Sequence, residues 1–175
     1  MAPNDKRLPI EIHETEGKYI HEIEYNFTLE NYLNRDPFVF QQNYKSKCHK
    51  LRTKWKILME FEKMDAVDNV SCLLNVKRMD NQAGSVNVSY SMILLNDSFH
   101  SLGETIKSST TGVQRGQEIQ RDFKPLVATE DLCRLSNGKV NVIFCLGISG
   151  CHPRRKHQLA TTASYGPSIV LFSKI

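Results

Sequence analysis

The chain has 175 residues, 40% of them hydrophobic and 24% charged, and carries a formal net charge of +4. These values predict a soluble globular protein of about one domain. They exclude a membrane-spanning protein, because no segment approaches the roughly 18 apolar residues that a membrane helix needs. No apolar run follows the charged N-terminal residues as it would in a secretory signal, so we expect a cytoplasmic or nuclear protein.

The first half of the chain alternates between apolar and polar residues in several short segments. Residues 1–17 are polar, include two prolines and predict a flexible N-terminal arm. A first strand is predicted over residues 19–31 from their alternation. Residues 38–40, which follow a proline turn, are predicted to be a short strand or a loop anchored in the core. Residues 55–61 predict a clear strand with one mostly apolar face.

The second half continues with strands but is less regular. Strands are predicted at residues 70–76 and 86–95, each followed by turn residues. Residues 96–120 predict one strand near residues 104–106 and then a long loop. Residues 126–135 predict a short helix or an irregular segment.

The closing part of the chain holds one more buried strand and a polar tail. Residues 140–148 are almost continuously apolar, which is typical of a strand buried on both faces. Residues 151–175 form a basic C-terminal tail, in which residues 168–175 are a candidate for an extra strand. Many short strands with turns about every ten residues predict an all-β antiparallel sandwich over residues 18–150.

Five segments share their order and residue pattern with a known family. Phe27-Thr28-Leu29-Glu30-Asn31-Tyr32 is similar to a family strand of pattern Trp-Thr-Ile-x-Asn-Phe, and Trp55 begins a second strand of pattern Trp-x-Leu-x-Val. The other segments are residues 68–74, residues 90–96 with 103–107, and residues 120–123 with 138–148. In these segments the chain resembles the MATH (TRAF-like) family and, within it, the speckle-type POZ adaptor group, but we expect it to act without a POZ domain.

The resemblance implies an eight-stranded antiparallel β-sandwich that acts as a non-enzymatic protein–protein interaction module. Such a domain binds a short extended segment of a partner protein in a shallow groove. The resemblance also implies an adaptor role in ubiquitin-linked or scaffold assemblies. The implied groove residues are Asn69, Tyr90, Val113 and Arg115.

Three of these four positions lack the aromatic ring of the speckle-type group. Asn69 replaces a tyrosine, Val113 a tryptophan and Arg115 a phenylalanine, whereas Tyr90 retains a ring. Aromatic side chains dominate binding hot spots, so their loss weakens the groove or changes its specificity. Arg115 near Tyr90 instead favours an acidic or phosphorylated partner segment.

A run of basic residues between positions 45 and 56 leaves other classes of function open. No acidic residue interrupts the run, which is typical of a solvated loop but also favours nucleic acid as a partner. A third alternative is a structural or assembly subunit that associates through an edge strand at residues 168–175. The sequence leaves the oligomeric state open. The basic run consists of Lys45, Lys47, Lys50, Arg52, Lys54 and Lys56.

No catalytic or metal-binding constellation is visible in the sequence. The five cysteines contain no Cys-x-x-Cys pair, and Cys151-His152 has no second Cys-His pair at zinc-finger spacing. The neighbours Cys48 and His49 would point to opposite faces of a strand. We therefore expect structural thiols, no metal site, no cofactor and no enzymatic activity.

Overall fold

The computed structural model describes residues 10–17, 19–32, 37–64, 69–135 and 138–152. These residues contain nine β-strands and a 3₁₀ helix, Thr129–Arg134. None of their helices is long and apolar enough to cross a membrane. The strands are β1 (Glu11–Glu16), β2 (Ile20–Leu29), β3 (Phe38–Lys45), β4 (Lys54–Lys63), β5 (Val70–Arg78), β6 (Val86–Leu95), β7 (Ile106–Val113), β8 (Glu118–Phe123) and β9 (Val140–Ser149).

The strands form two antiparallel sheets. One sheet has the order β1-β2-β9-β6-β7, and the other has the order β3-β4-β5-β8. The predicted all-β sandwich is confirmed at this level, with nine strands among the described residues where eight were expected. β9 lies at the centre of the five-stranded sheet, between β2 and β6.

The two sheets pack through aromatic side chains on their inner faces. In β2 and in most of β4, buried residues alternate with more exposed ones, as the period of two in a strand requires. Phe27 of β2 stacks on Phe40 of β3 with ring centroids 4.4 Å apart, and it meets Phe61 of β4 edge to face at 6.1 Å. Burying each such side chain contributes about 1.5–3 kcal/mol, so these rings join the sheets.

β1 occupies part of the flexible arm that was predicted at residues 1–17. Its six residues pair with β2 through a tight turn, in which the Gly17 N–H donates to the Ile20 carbonyl oxygen at 2.8 Å. All of β1 is exposed, so it lacks the apolar alternation that marks the other strands. The prediction was wrong for Glu11–Glu16, and residues 1–9 lie outside the described residues.

β7 and β8 occupy most of the region that was predicted as a long loop. Both are polar strands, and each forms an edge of one sheet. Their Ser, Thr and Gln side chains carry little of the strand signal that β-branched and aromatic residues provide. The strand predicted near residues 104–106 is the start of β7. The candidate strand at residues 168–175 lies outside the described residues, as does the tail beyond His152.

A buried ion pair closes one end of the sandwich. The guanidinium of Arg78 is fully buried and donates to both carboxylate oxygens of Asp80 at 3.0 Å. It also donates to the carbonyl oxygens of Gly84 and Val113 at 2.8 and 2.9 Å. Asp80 in turn accepts a hydrogen bond from the Lys54 N–H at 3.0 Å. The pair therefore joins β5 to the start of β4 and to the end of β7 in the other sheet.

We expect Arg78→Met to lower the free energy of unfolding by about 3–5 kcal/mol, because removal of one partner leaves an uncompensated buried charge. Equilibrium unfolding in urea measures this change. Lys77→Met is the matched control, since Lys77 pairs with Glu118 at the surface, at 3.6 Å. An exposed ion pair of this kind contributes at most about 1 kcal/mol. Equal losses in the two variants would contradict the role assigned to Arg78.

The same pair makes stability depend on pH. Burial alone would raise the pKa of Asp80, but hydrogen bonds from Arg78 and from the N–H groups of Lys54 and Gln82 outweigh it. They hold this pKa below its ordinary value of 3.8. The carboxylate therefore stabilises the fold fully above this ordinary, unfolded-state pKa, and its contribution is lost as the pH falls through the lower folded-state pKa.

We expect the wild type to exceed Asp80→Asn in stability most at about pH 7, and this difference to shrink below about pH 4. Free energies of unfolding measured across that range for both proteins check the expectation. A difference that stays constant down to about pH 2 would mean that Asp80 is not the carboxyl group responsible.

Candidate functional site

The four groove residues implied by the family resemblance do not lie on one surface. The side chains of Asn69, Tyr90 and Val113 are 1%, 4% and 1% exposed, whereas Arg115 is exposed in the turn between β7 and β8. Tyr90 lines the larger of the two depressions described below, although it is almost completely buried. Among these four residues, only Arg115 therefore offers an exposed side chain to a ligand on the surface.

Asn69 is the centre of a buried hydrogen-bond network that lies just before the first residue of β5. This network is at the opposite end of β5 from Arg78. The Asn69 Oδ1 accepts hydrogen bonds from the Tyr32 hydroxyl at 2.9 Å and from the Val70 N–H at 2.8 Å. Its Nδ2 donates to the Val127 carbonyl oxygen at 2.6 Å. Burial raises the pKa of Tyr32 well above its ordinary value. Asn69 thus ties the segments that follow β2 and β8 to the start of β5.

Tyr90 and Val113 are core residues of the five-stranded sheet. The ring of Tyr90 stacks on Phe144 of β9 with centroids 6.2 Å apart. Val113 ends β7, and its carbonyl oxygen accepts the hydrogen bond from Arg78. Substitution of either residue is therefore expected to change stability before it changes a binding surface.

The six residues of the basic run are exposed or partly exposed on β3, on β4 and on the loop between these strands. Lys45 of β3 lies opposite Lys54 of β4 in the register of the sheet. Together with Arg52 these lysines line a surface depression of about 320 Å³. Lys47 instead forms an ion pair with Glu14 of β1. Part of the run thus forms one basic surface, on the four-stranded sheet.

Two depressions that sequence reasoning did not identify lie on the outer face of the five-stranded sheet. Their volumes are about 480 and 300 Å³, and β9 supplies part of the floor of each. The outward residues of β9 are Gly147, Cys145, Ile143 and Asn141, so the floor rises from small to larger side chains. We call this surface the β9 groove.

One end of the β9 groove is hollow and acidic. Gly147 lies between Glu22 of β2 and Ser89 of β6 in the sheet register. A Cβ at Gly147 would be 2.7 Å from the Ser89 Oγ and 3.1 Å from the Ile20 Cδ1, so a larger residue here would displace these side chains and fill part of the hollow. Burial, and then the carboxylates of Glu22 and Glu24, raise the pKa of the Cys145 thiol. The β2 side of the hollow end therefore carries acidic side chains, whereas Lys107 of β7 lines its opposite side.

The other end of the β9 groove presents exposed apolar side chains among polar ones such as Glu11 and Asn141. Ile143 of β9 is partly exposed, and it lines the second depression together with Leu95 and Phe99. Phe99 is 72% exposed, which is unusual for a large apolar side chain. The groove therefore offers an apolar contact at this end.

Hydrogen bonds hold Phe99 in place in the loop between β6 and β7. Its φ is 60°, in the left-handed region that non-glycine residues seldom occupy. The Asn96 Oδ1 accepts hydrogen bonds from the N–H groups of Ser98 and His100 at 3.0 and 2.9 Å. The Asn96 Nδ2 donates a hydrogen bond to the Arg134 carbonyl oxygen at 3.3 Å. The loop thus presents Phe99 as a pre-organised aromatic side chain.

Four side chains that can bind a metal meet where β2 begins and β9 ends. His21, Cys48 and Cys151 are buried, and His152 is partly exposed. Their ligand atoms all lie within 4.8 Å of one another. Sequence reasoning considered only ligands near Cys151-His152 in the chain, whereas the fold supplies ligands from β2 and from the loop after β3.

The four side chains influence one another. Burial and the neighbouring His152 lower the pKa of His21. Burial and the neighbouring Cys48 raise the pKa of the Cys151 thiol to about 11. Without a bound ion, the surrounding protein groups therefore favour the neutral imidazole of His21 and the neutral thiol of Cys151.

We expect Asn69→Ala to lower the free energy of unfolding by at least about 2 kcal/mol, because buried groups left without partners cost about 1–3 kcal/mol each. Tyr32→Phe is the matched control, since it removes one hydroxyl but leaves the bonds of Asn69 to Val70 and Val127. It should cost about 1 kcal/mol. Unfolding in urea compares the variants. If Asn69→Ala instead has the stability of the wild type and no longer binds a ligand, Asn69 is a binding residue and not a structural one.

A scan against protein-family models found no match, and no curated protein matches this chain significantly.

Proposed function

We propose that this chain is a non-enzymatic protein–protein interaction module of the MATH (TRAF-like) type, which binds a short extended segment of a partner protein. The observation that carries the proposal is the β9 groove, which is hollow and acidic at one end and has an exposed phenylalanine at the other. An adaptor role in a larger assembly is the function that such a module serves.

The family assignment is supported by the order of the resembling segments along the chain and by the two antiparallel sheets. Without β1, the described strands divide into four and four. This number agrees with the eight strands that the resemblance implies.

The length of the β9 groove fits a short extended peptide. From Gly147 to Asn141 the floor is roughly 20 Å long at about 3.3 Å per residue, which suits a segment of about six or seven residues. An extended segment directs alternate side chains to opposite sides, so both walls of the groove can contribute to selectivity.

The charges of the groove define the segment further. Glu22 and Glu24 of β2 lie on one side of the hollow end, and Lys107 of β7 borders its other side. A basic residue of the partner would face the two carboxylates, and an acidic residue would face Lys107. Arg115, which favoured an acidic or phosphorylated partner, lines neither depression. The proposed ligand therefore carries a basic residue toward β2 and an apolar residue at Phe99.

Nucleic-acid binding is a second candidate function, favoured by the basic surface on the opposite sheet. Lys45, Arg52 and Lys54 line one depression there. Contacts between these residues and phosphates would make binding decrease steeply with salt, because each contact releases counterions. Peptide binding anchored by Phe99 would respond much less to salt.

Selection from a displayed library of random peptides, followed by fluorescence anisotropy with the selected peptides, tests the groove. We expect Phe99→Ala to raise the Kd about tenfold or more, because truncation of an aromatic hot-spot residue costs about 2 kcal/mol or more. Val39→Ala is the matched control. Val39 is 54% exposed on β3 of the other sheet, so its truncation should leave the Kd unchanged.

Charge reversal separates the two candidate functions. Glu22→Lys with Glu24→Lys should abolish binding of peptides that contain a basic residue, whereas Lys45→Glu with Lys54→Glu should not. All variants are first required to unfold at the wild-type temperature. The groove proposal would be overturned if the selected peptides bind Phe99→Ala and the Glu22/Glu24 variant with the same Kd as the wild type. Salt-sensitive binding of an oligonucleotide that is lost in the Lys45/Lys54 variant would favour the second candidate.

A further inference from the structure

We propose that His21, Cys48, Cys151 and His152 form a structural Zn²⁺ site that links the two sheets at one end of the sandwich. The proposal is independent of the β9 groove and of any peptide ligand. It rests on the convergence of four soft or borderline ligands in a buried position.

The ligands come from three segments that are distant in sequence. His21 is on the inner face of β2, Cys48 is in the loop between β3 and β4, and Cys151 with His152 follows β9. Cys48 and Cys151 are 103 residues apart in the chain. Gly150, with a φ of 76°, turns the chain at the end of β9, so two consecutive residues can reach the cluster.

The distances between the ligand atoms are close to those of a tetrahedral zinc site. Zn–N bonds of about 2.0–2.1 Å and Zn–S bonds of about 2.3 Å give edges of roughly 3.4 Å between nitrogens and roughly 3.6 Å between nitrogen and sulfur. The Nε2 atoms of His21 and His152 are 3.1 Å apart, and the Cys48 Sγ is 3.7 Å from the His152 Nε2. All remaining separations are within 4.8 Å, so small side-chain rotations complete the tetrahedron.

The ligand set selects the ion. Two thiolates and two imidazoles in tetrahedral array are typical of Zn²⁺, whereas Mg²⁺ and Ca²⁺ prefer oxygen ligands. Two thiolates balance the charge of a divalent cation, so the loaded site is neutral and its burial is not opposed by a net charge. Four protein ligands leave no open coordination position, which is the arrangement of structural rather than catalytic zinc.

Polar atoms around the cluster are consistent with a bound cation. The Leu51 N–H donates to the Cys48 Sγ at 3.5 Å, an interaction that stabilises a thiolate ligand. His21 is 3% exposed, and its Nδ1 has no hydrogen-bond partner within the described part of the chain. Coordination through Nε2 would place the ring proton on this Nδ1. Glu16 of β1, opposite His21 in the register, then supplies a carboxylate on the same side of the strand pair.

The site would act as a clamp between the sheets. β2 and β9 belong to the five-stranded sheet, whereas the loop that carries Cys48 connects two strands of the other sheet. An ion bound by all three segments restricts the unfolded chain and therefore stabilises the fold.

The test uses the full chain, purified with a reductant that does not bind metals. After chelation and dialysis, the protein is titrated with Zn²⁺ alone and, separately, with Co²⁺. We expect one Zn²⁺ per chain, a rise in unfolding temperature with Zn²⁺, and a Co²⁺ spectrum with tetrahedral and thiolate-to-metal bands. Cys48→Ser and Cys151→Ser should each lower the Zn²⁺ affinity by a factor of about 100 or more, since even changes around the ligands cost about 10–100-fold.

Two substitutions outside the cluster are the controls. Cys133→Ser removes an exposed thiol and His49→Ala removes the exposed imidazole next to Cys48, and both should bind Zn²⁺ like the wild type. His152→Ala, at the most exposed ligand, supplies a variant that should remain folded if the cysteine variants do not. Protein that takes up no Zn²⁺, a Co²⁺ spectrum without thiolate bands, or equal affinities of Cys48→Ser, His152→Ala and Cys133→Ser would overturn the proposal.

Discussion

The buried guanidinium of Arg78 is the constraint on which one end of the sandwich depends. A buried charge without partners would cost several kcal/mol, so the chain must bring acceptors to every side of this group. Asp80 supplies the carboxylate, and the carbonyl oxygens of Gly84 and Val113 supply two further acceptors. These bonds determine where β5 ends, how the following turn closes and where β7 must finish, although β7 belongs to the opposite sheet. The Arg78 side chain therefore both stabilises the fold and restricts how the strands at this end can be arranged.

The other strands show which parts of such a fold can be predicted from sequence. β2, β4 and β6 carry an apolar inner face, and their apolar patterns together with the turn residues that follow predicted their positions. β1, β7 and β8 are polar edge strands whose positions follow from backbone pairing with a neighbour, so their own side chains carry little signal. Asn69 shows the same limit for a site residue. The family resemblance implied that it lies in the groove, but Tyr32 and Val127, which are distant in sequence, bind its side chain in the interior.

The cluster of His21, Cys48, Cys151 and His152 was missed for a related reason. Its four residues come from the start of β2, a loop and the end of β9, and such a set has no spacing rule along the chain. Leu51 connects this cluster to the buried ion pair. The Leu51 N–H donates a hydrogen bond to the Cys48 Sγ, and the Leu51 Cδ2 lies 3.6 Å from the position that a Cβ at Gly84 would take. Gly84 in turn accepts a hydrogen bond from Arg78. The loop after β3 is therefore held between two polar centres of the same end.

β9 brings the proposed functions together in one strand. Its inward side chains pack in the core, its outward residues form the floor of the β9 groove, and its end leads into Cys151 and His152. Gly147, at the hollow end of the groove, is four residues from Cys151, whereas Ile143 is eight residues away. An ion at the cluster would restrain the hollow acidic end more than the apolar end, because a restraint acts most strongly on the backbone nearest to it. Selectivity for a basic residue of the partner would then depend on the clamp, whereas the contact with Phe99 would depend on the loop after β6.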